Sequence, residues 1–522
     1  MSSANSTLPP PGVSDETTTG TDVFVVHGVD PEVQAYAMAK YSRSSLSMRE
    51  SLRELNEQKA EKFLNTFYFQ YGHRSIADLA HIAMAIERLS LLAATIVVDE
   101  QRWDGQERST RYQDFKKSGY FVPKFTDAQL TARYREAIDF LFSEYREFSE
   151  LMFQHLVSRT PKPEEMKQDA YERTLRARAF DITRYILPLA TNTSLGQIVN
   201  ARTLETQVSR LLSHTHPEVR QLAARMKEAA RTPSYNVNHE AFRTLVEAIR
   251  AKDESLGILA ESQLMRDVKA SPTLVKYAEA NQYEIATRGE LAQAARELMQ
   301  GAVIEGAPSV DLLEDDPLEI ELATTLLYEQ SHYSYRQLRS AVESLNDTQR
   351  AEIIDLGMKH RGRHDELLRD FAAGQKFRFD ILMDIGGYRD MHRHRRCVQI
   401  AQAYTFAHGF DTPVEITEAG YADRYSAAMR RAQTGAQELA EAGADAPDTQ
   451  YLIPLAYRKR MLFKMDFAEV VYISELRTTP AGHWSYRKVA WEMYEAAAKR
   501  YPALAKYFRV HDIHAPVDLL QR

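Results

Sequence analysis

The 522-residue chain has a single cysteine, Cys397, so no disulfide can close within it and a cysteine-built zinc site is excluded. Nowhere does an apolar run approach the roughly 18 residues of a membrane-spanning helix, and none is expected. Residues 1–22 are rich in Ser, Thr, Pro and Gly and lack the apolar core of a signal peptide. They read as a disordered tail. An excess of positive charge is also missing, with 66 Lys and Arg against 73 Asp and Glu and a formal net charge of −7. A general nucleic-acid binder rests on broad positive surface, so that class is disfavoured. The expectation is a cytoplasmic protein with no membrane partner, no nucleic-acid partner and no metal.

What is present begins with ordinary globular composition, 44% apolar and 27% charged. The length suits two to four domains, each able to bury a core. The densest chemistry is Tyr388-Arg389-Asp390-Met391-His392-Arg393-His394-Arg395-Arg396, with four arginines and two histidines in one short stretch. Guanidinium forks stay charged and match the oxygens of phosphates and carboxylates. Alone, such a cluster is more often a solvated face or a contact for an acidic partner than a substrate site.

Taken in order, Val23–Val26 reads as a buried strand, and Asp30-Pro31-Glu32 as a helix start leading through Val33–Tyr41. A second helix is expected over Ser51–Tyr71, a strand over His81–Glu87, and either a helix or a strand over Leu89–Val98. After a polar loop come Glu107-Arg108-Ser109-Thr110-Arg111-Tyr112 and amphipathic helices over Asp127–Leu156, Tyr171–Arg184 and Asn200–Leu212. The second half echoes this order. Asp30-Pro31 returns as Asp316-Pro317, Leu55-Asn56 as Leu345-Asn346, and Ile186-Leu187-Pro188-Leu189-Ala190 as Leu452-Ile453-Pro454-Leu455-Ala456. A tandem duplication follows, with domains over 23–231 and 310–522 and a helical connector over 232–309.

Aligning the copies sets Asp99-Glu100-Gln101 opposite Arg393-His394-Arg395, and Ser109-Thr110-Arg111-Tyr112 opposite Ala403-Tyr404-Thr405-Phe406. Here the chain resembles the flavin-dependent thymidylate synthases, whose hallmark is Arg-His-Arg, a fixed spacer and Ser-x-Arg-Tyr. The second copy keeps the first part, and the first copy keeps the second. Further family positions match Arg184, Pro188 and Asn200-Ala201-Arg202 in the first copy. The second arginine beyond that element falls on Leu211 in the first copy, with Arg210 one place off, and on Arg477 in the second. Gly72-His73-Arg74-Ser75 is similar to the family's His-x-Ser segment.

The resemblance implies α+β domains, each a small twisted sheet flanked by long helices, and a homodimer forming a pseudo-tetramer. It implies dTMP synthesis from dUMP with methylenetetrahydrofolate as one-carbon donor and reduction through FAD and NADPH. By the same resemblance Glu107, Ser109, Arg111, Arg184 and Arg393 bind substrate. His73, Asn200, Arg202, Arg393, His394 and Arg395 bind cofactor, and Arg477 activates the pyrimidine. Blander readings stand beside these. His73 could satisfy a helix end, Ser109 and Arg111 a polar strand face, and Arg184 and Arg202 surface ion pairs, while His483 to Tyr494 reads as core. Two alternatives to the synthase remain. One is a degenerate paralogue that binds flavin or pyrimidine nucleotide without synthase activity; the other is a nucleic-acid module built on the Arg393 cluster.

Overall fold

The computed structural model describes residues 28–40, 74–362, 365 and 367–520. The strand expected at Val23–Val26, the helix expected at Ser51–Tyr71 and the candidate ligand His73 lie outside the described residues. Helix α1, Pro31–Lys40, starts at the proline that the Asp-Pro-Glu signal marks. Its buried Glu32 accepts from the backbone N–H groups of Thr273 and Leu274, tying the helix to the connector.

The first half then runs β1 (His81–Ser90), α2 (Leu91–Val97), β2 (Asp104–Glu107), α3 (Ala128–Arg159), α4 (Gln168–Thr183), β3 (Asn192–Asn200), α5 (Ala201–Leu212) and α6 (Pro217–Arg231). Its sheet is antiparallel, in the order β1-β3-β2. Both readings of Leu89–Val98 hold in part. The strand persists to Ser90, whose hydroxyl accepts from Ala93 N and starts the helix at once. The connector carries α7 (His239–Arg250), α8 (Glu254–Leu264) and α9 (Gln282–Leu298).

The second half contains β4 (Val310–Leu312), α10 (Leu318–Tyr328), α11 (Tyr335–Glu343), α12 (Asp347–Lys359), β5 (Phe377–Asp384), α13 (Ile385–Met391), β6 (Val398–Ala401), α14 (Ala422–Glu441), β7 (Arg458–Met465), α15 (Phe467–Arg477) and α16 (Trp484–Arg500). Its sheet is antiparallel in the order β4-β5-β7-β6. The repeat is visible element by element. Helices α2 and α13 have equal length, and each is capped by the polar side chain that ends the preceding strand, Ser90 or Asp384. Strands β2 and β6 follow at the same spacing.

The halves meet on the repeated segments Leu187-Pro188-Leu189-Ala190 and Ile453-Pro454-Leu455-Ala456. Leu189 N donates to Ile453 O at 2.9 Å, and Leu455 N donates to Leu187 O at 3.0 Å. Ala190 N to Tyr451 O and Ala456 N to Tyr185 O repeat the relation. Each bond maps onto its partner when the halves exchange, so a local twofold passes between Pro188 and Pro454. These two prolines, which have no N–H to give, face each other across the pairing. Around this axis lies one hydrophobic core built from both halves, with α3 and α14 packed over it. Arg424 clamps Glu144 between those two helices at 2.8 and 2.9 Å.

The two sheets differ in how they are covered. In β3, Thr193, Leu195, Gln197 and Val199 are buried while Gly196 and Ile198 are exposed, so one face of the first sheet meets solvent. In the second, α10 and the start of α11 cover that face, and beneath them lie Arg378, Asp380, Arg460 and Lys464, all buried. These charges are paired, with Arg460 Nη1 on Asp380 Oδ2 at 2.9 Å, Lys464 on Glu321 at 3.0 Å and Arg378 on Asp316 at 3.2 Å.

Candidate functional site

Side chains from both halves converge beside the twofold. The end of β2 supplies Glu107, and the segment after it supplies Thr110 and Arg111. The last turn of α4 supplies Asp181, and the following turn supplies Arg184. From the second half come Arg389 and Asp390 on α13, Arg477 at the end of α15, and His483 and Tyr486 at the start of α16.

Arg111 grips Asp181 with both arms of its fork, Nε to Oδ1 at 3.0 Å and Nη2 to Oδ2 at 3.1 Å. Its remaining nitrogen, Nη1, donates to Tyr486 Oη at 2.9 Å, in the other half. Asp181 also lies 3.1 Å from His483 Nδ1 and 3.3 Å from Arg184 Nε. Burial alone would raise its carboxyl, yet His483, Arg184 and Arg111 together hold it far below the usual range. Arg389 donates to Glu107 and, at 3.1 Å, to Thr110 Oγ1. Arg184, expected as a surface ion pair in the blander reading, is instead 1% exposed. Its Nη2 and the Nε of Arg389 have no hydrogen-bond partner among the described residues. Buried donors without acceptors are costly, so these two nitrogens are the unsatisfied donors of the cluster.

The Arg-His-Arg segment forms the adjoining wall. Arg477 Nε donates to His394 Nε2 at 2.8 Å, which makes that nitrogen an acceptor and leaves the ring proton on Nδ1, 3.5 Å from Glu469 Oε1. Burial and the Arg477 charge keep the imidazole pKa low, against the pull of Glu469. Arg395 lies over the Trp103 ring at 5.1 Å and donates to His392 O. Arg393 is exposed and makes no ion pair among the described residues. Asp99, Glu100 and Gln101, aligned opposite this segment in sequence, also face it in space across one cleft. Asp99 is 2.7 Å from Arg369 and 3.1 Å from His392, while Glu100 pairs with Arg210. The exposed Arg393, Trp103 beneath Arg395 and the exposed Tyr472 beside His394 add cationic and aromatic surface next to this cleft, the chemistry that a flavin and its diphosphate would need.

Among the residues singled out from sequence, the structure thus brings Glu107, Arg111 and Arg184 together with Arg477, and sets His394 and Arg395 alongside. Ser109 shapes the turn, its hydroxyl accepting from Arg111 N at 3.2 Å. Asn200 and Arg202 serve the first half's own sheet end. Asn200 caps α5 by accepting from Thr203 N, and Arg202 pairs with Asp78 at 3.3 Å. Asp181 is missing from the sequence reading, Arg389 and Asp390 stand there only within the basic cluster, and His483 and Tyr486 only within a core helix, none with a site role of its own. His483 to Tyr494 is core at Val489, Ala490 and Met493, but its first turn turns to the site. Cys397 is buried, which pushes its thiol up to about 12. Among the described residues, no group of three or more His, Cys, Asp or Glu side chains could hold a metal, and no helix is long and apolar enough to cross a membrane.

Behind the cleft, Lys459 is buried with its ammonium 3.8 Å from the centre of the Tyr404 ring and 5.2 Å from that of Tyr388. No hydrogen-bond acceptor reaches it among the described residues, and burial lowers its pKa to about 8 despite Asp99 and Glu329. The unfolded chain therefore binds more protons between pH 8 and 10.5, and stability rises with pH across that window. At 1.36 kcal/mol per unit, holding the charge costs roughly 3 kcal/mol, partly offset by about 1–2 kcal/mol of ring attraction. Lys459→Met is expected to stabilise the fold by about 1–2 kcal/mol at pH 7 and to flatten the alkaline rise. Urea titrations between pH 7 and 10.5 check both; an unchanged pH slope in the variant would show that another group sets it.

The model of one protein family, described as thymidylate synthase complementing protein, matches residues 24–233 and again 310–503. A UPF0159 protein of Chlamydia pneumoniae is 27% identical over 535 residues, covering 96% of this chain and 93% of that protein. A UPF0159 protein of Thermoplasma acidophilum is 24% identical over 518 residues, covering 91% and 94%. A flavin-dependent thymidylate synthase of Clostridium tetani is 26% identical over 200 residues, 38% of this chain and 76% of that protein. Among solved structures, the flavin-dependent thymidylate synthase of Helicobacter pylori, complexed with FAD and dUMP, covers 38% of this chain and 89% of its own at 15% identity and a TM-score of 0.27. Two successive matches to one family model, together spanning well over half of the residues, account for both halves: the chain belongs to the thymidylate synthase complementing protein family.

Proposed function

We propose that the protein is a flavin-dependent thymidylate synthase, making dTMP from dUMP with methylenetetrahydrofolate as carbon donor and NADPH as reductant. One observation carries this reading. Family-matched arginines of the two copies, separated by most of the sequence, meet on one side chain, with the guanidinium carbons of Arg111 and Arg477 at 5.6 and 5.4 Å from the Tyr486 ring, and Arg477 in turn donates to His394 of the Arg-His-Arg half-motif. The orphaned donors of Arg184 and Arg389 donate to the phosphate oxygens of the nucleotide. Arg393 and Arg395, with Trp103, hold the flavin, and a second copy of the chain completes a pseudo-tetramer. When bound, FAD supplies the hydride. Arg477 does the chain's own chemistry. Its charge sits where the uracil oxygens become negative as C5 turns nucleophilic, and no enzyme nucleophile is needed.

A second reading also has an observation behind it. Arg111 is already saturated by Asp181, Tyr486 and the carbonyl of Ala481, as in a site that keeps its architecture but has lost its substrate. Thymidylate formation from labelled dUMP, with methylenetetrahydrofolate, NADPH and FAD, separates the two. The wild type is expected to form product, and Arg477→Ala to lose on the order of 10²–10³ in rate while still binding flavin. Flavin binding without product in the wild type supports the degenerate paralogue instead.

A further inference from the structure

Because the halves repeat about a local twofold, the site has a counterpart at which they exchange roles. Matched elements locate it, since α2 corresponds to α13, α5 to α15 and α6 to α16, and the turn Arg184–Ile186 corresponds to Gln450–Leu452. At the counterpart most of the charges are gone, and Arg210, the arginine that remains beside it, is already held by Glu100 Oε1 and Ile96 O, both at 2.9 Å. Thr95 stands where α13 has Arg389, and its hydroxyl is turned back onto Leu91 O at 2.9 Å. Leu211 and Val219 replace Arg477 and Tyr486, and both are 0% exposed. Gln450 replaces Arg184, and Pro447 replaces Asp181. Tyr404, at the position of Thr110, packs its ring against Lys459 and fills space that a threonine leaves open.

We infer that the chain holds one nucleoside-monophosphate site, not two, and that the symmetry-related position has lost the donors an anion needs. The inference rests on the proposed nucleotide reading of the charged site. Its physical ground is that an anion needs several fixed donors in one place, and the counterpart offers apolar or self-satisfied groups at the matched positions. The duplicated chain therefore works in one orientation, with Arg111 and Arg184 from the first half and Arg389 and Arg477 from the second.

Equilibrium dialysis of the full-length protein, with FAD present and radiolabelled dUMP as probe, tests this. The expected stoichiometry is one dUMP per chain. Arg389→Met is expected to remove all of it, and Tyr404→Phe to leave it at one. Two dUMP per chain, or an Arg389→Met protein that keeps half of the bound nucleotide, overturns the single site and leaves the synthase reading standing. No dUMP bound by the folded wild type overturns both. The wild-type stoichiometry alone decides the matter if Arg389→Met fails to fold.

Discussion

Asp181→Ala is expected to lower stability by about 3–5 kcal/mol, the usual cost of stripping one partner from a buried ion pair. The cause lies in how many cations share that carboxylate. Arg111, Arg184 and His483 all lie within 3.3 Å of it, and Arg184 is enclosed almost completely. Denaturant titration reads the loss. Adding Arg184→Met to the alanine variant should recover part of it, because one of the stranded charges is then removed; no recovery would mean that the loss comes from packing alone. The pH dependence has a definite sign. The folded-state pKa of Asp181 is depressed, so its contribution is present above the ordinary carboxylate pKa of 3.8 and is lost as pH falls below that value toward the folded one. Nucleotide binding should disappear in Asp181→Ala even where the fold survives, because Arg111 and Arg184 are then no longer held in place.

Asp380→Ala is expected to be as damaging, about 3–5 kcal/mol, in a place unconnected with the ligand. The carboxylate accepts from Tyr328 Oη at 2.6 Å, from Tyr335 N at 2.8 Å and from Arg460 at 2.9 Å, all in the buried layer between the second sheet and α10. Removing it strands a guanidinium that is 1% exposed and leaves a backbone N–H without an acceptor. An exposed change in the first sheet, such as Gln106→Thr in β2, should stay within about 0.5 kcal/mol. Thermal melts of the two variants beside the wild type check the contrast. Equal losses would mean that burial of the second sheet does not govern its stability.

What could be read from sequence follows from what is local. The Pro-Leu-Ala repeats, the Asp30-Pro31 helix start and the long amphipathic helices declare themselves through neighbouring residues, and each has its counterpart in the structure. The uncertainty over Leu89–Val98 had a local signal as well. Ser90 ends a strand and caps a helix within three residues, as Asp384 does in the second half. The site was legible only in outline. Arg111 and Arg477 were visible as motif fragments, but Asp181 reads as one acid among many on a charged helix, and its importance comes from His483 in the other half. Arg389 sat inside the basic cluster with nothing to set it apart until Glu107 and Thr110 were seen against it. Asn200 carried a family spacing, yet its side chain spends its acceptor on a helix cap. Spacing identifies a residue type at a position; it does not report which acceptor that residue has already found.

The strap around Pro188 and Pro454 also governs the order in which the molecule can be made. Tyr185 and Leu187 wait for Ala456 and Leu455, which leave the ribosome roughly 270 residues later, at about 5–20 residues per second. For that interval, on the order of tens of seconds, the first half carries an unmatched apolar surface that includes Leu187, Leu189 and the inner side of α3. The two halves therefore gain a common core only when synthesis is nearly finished.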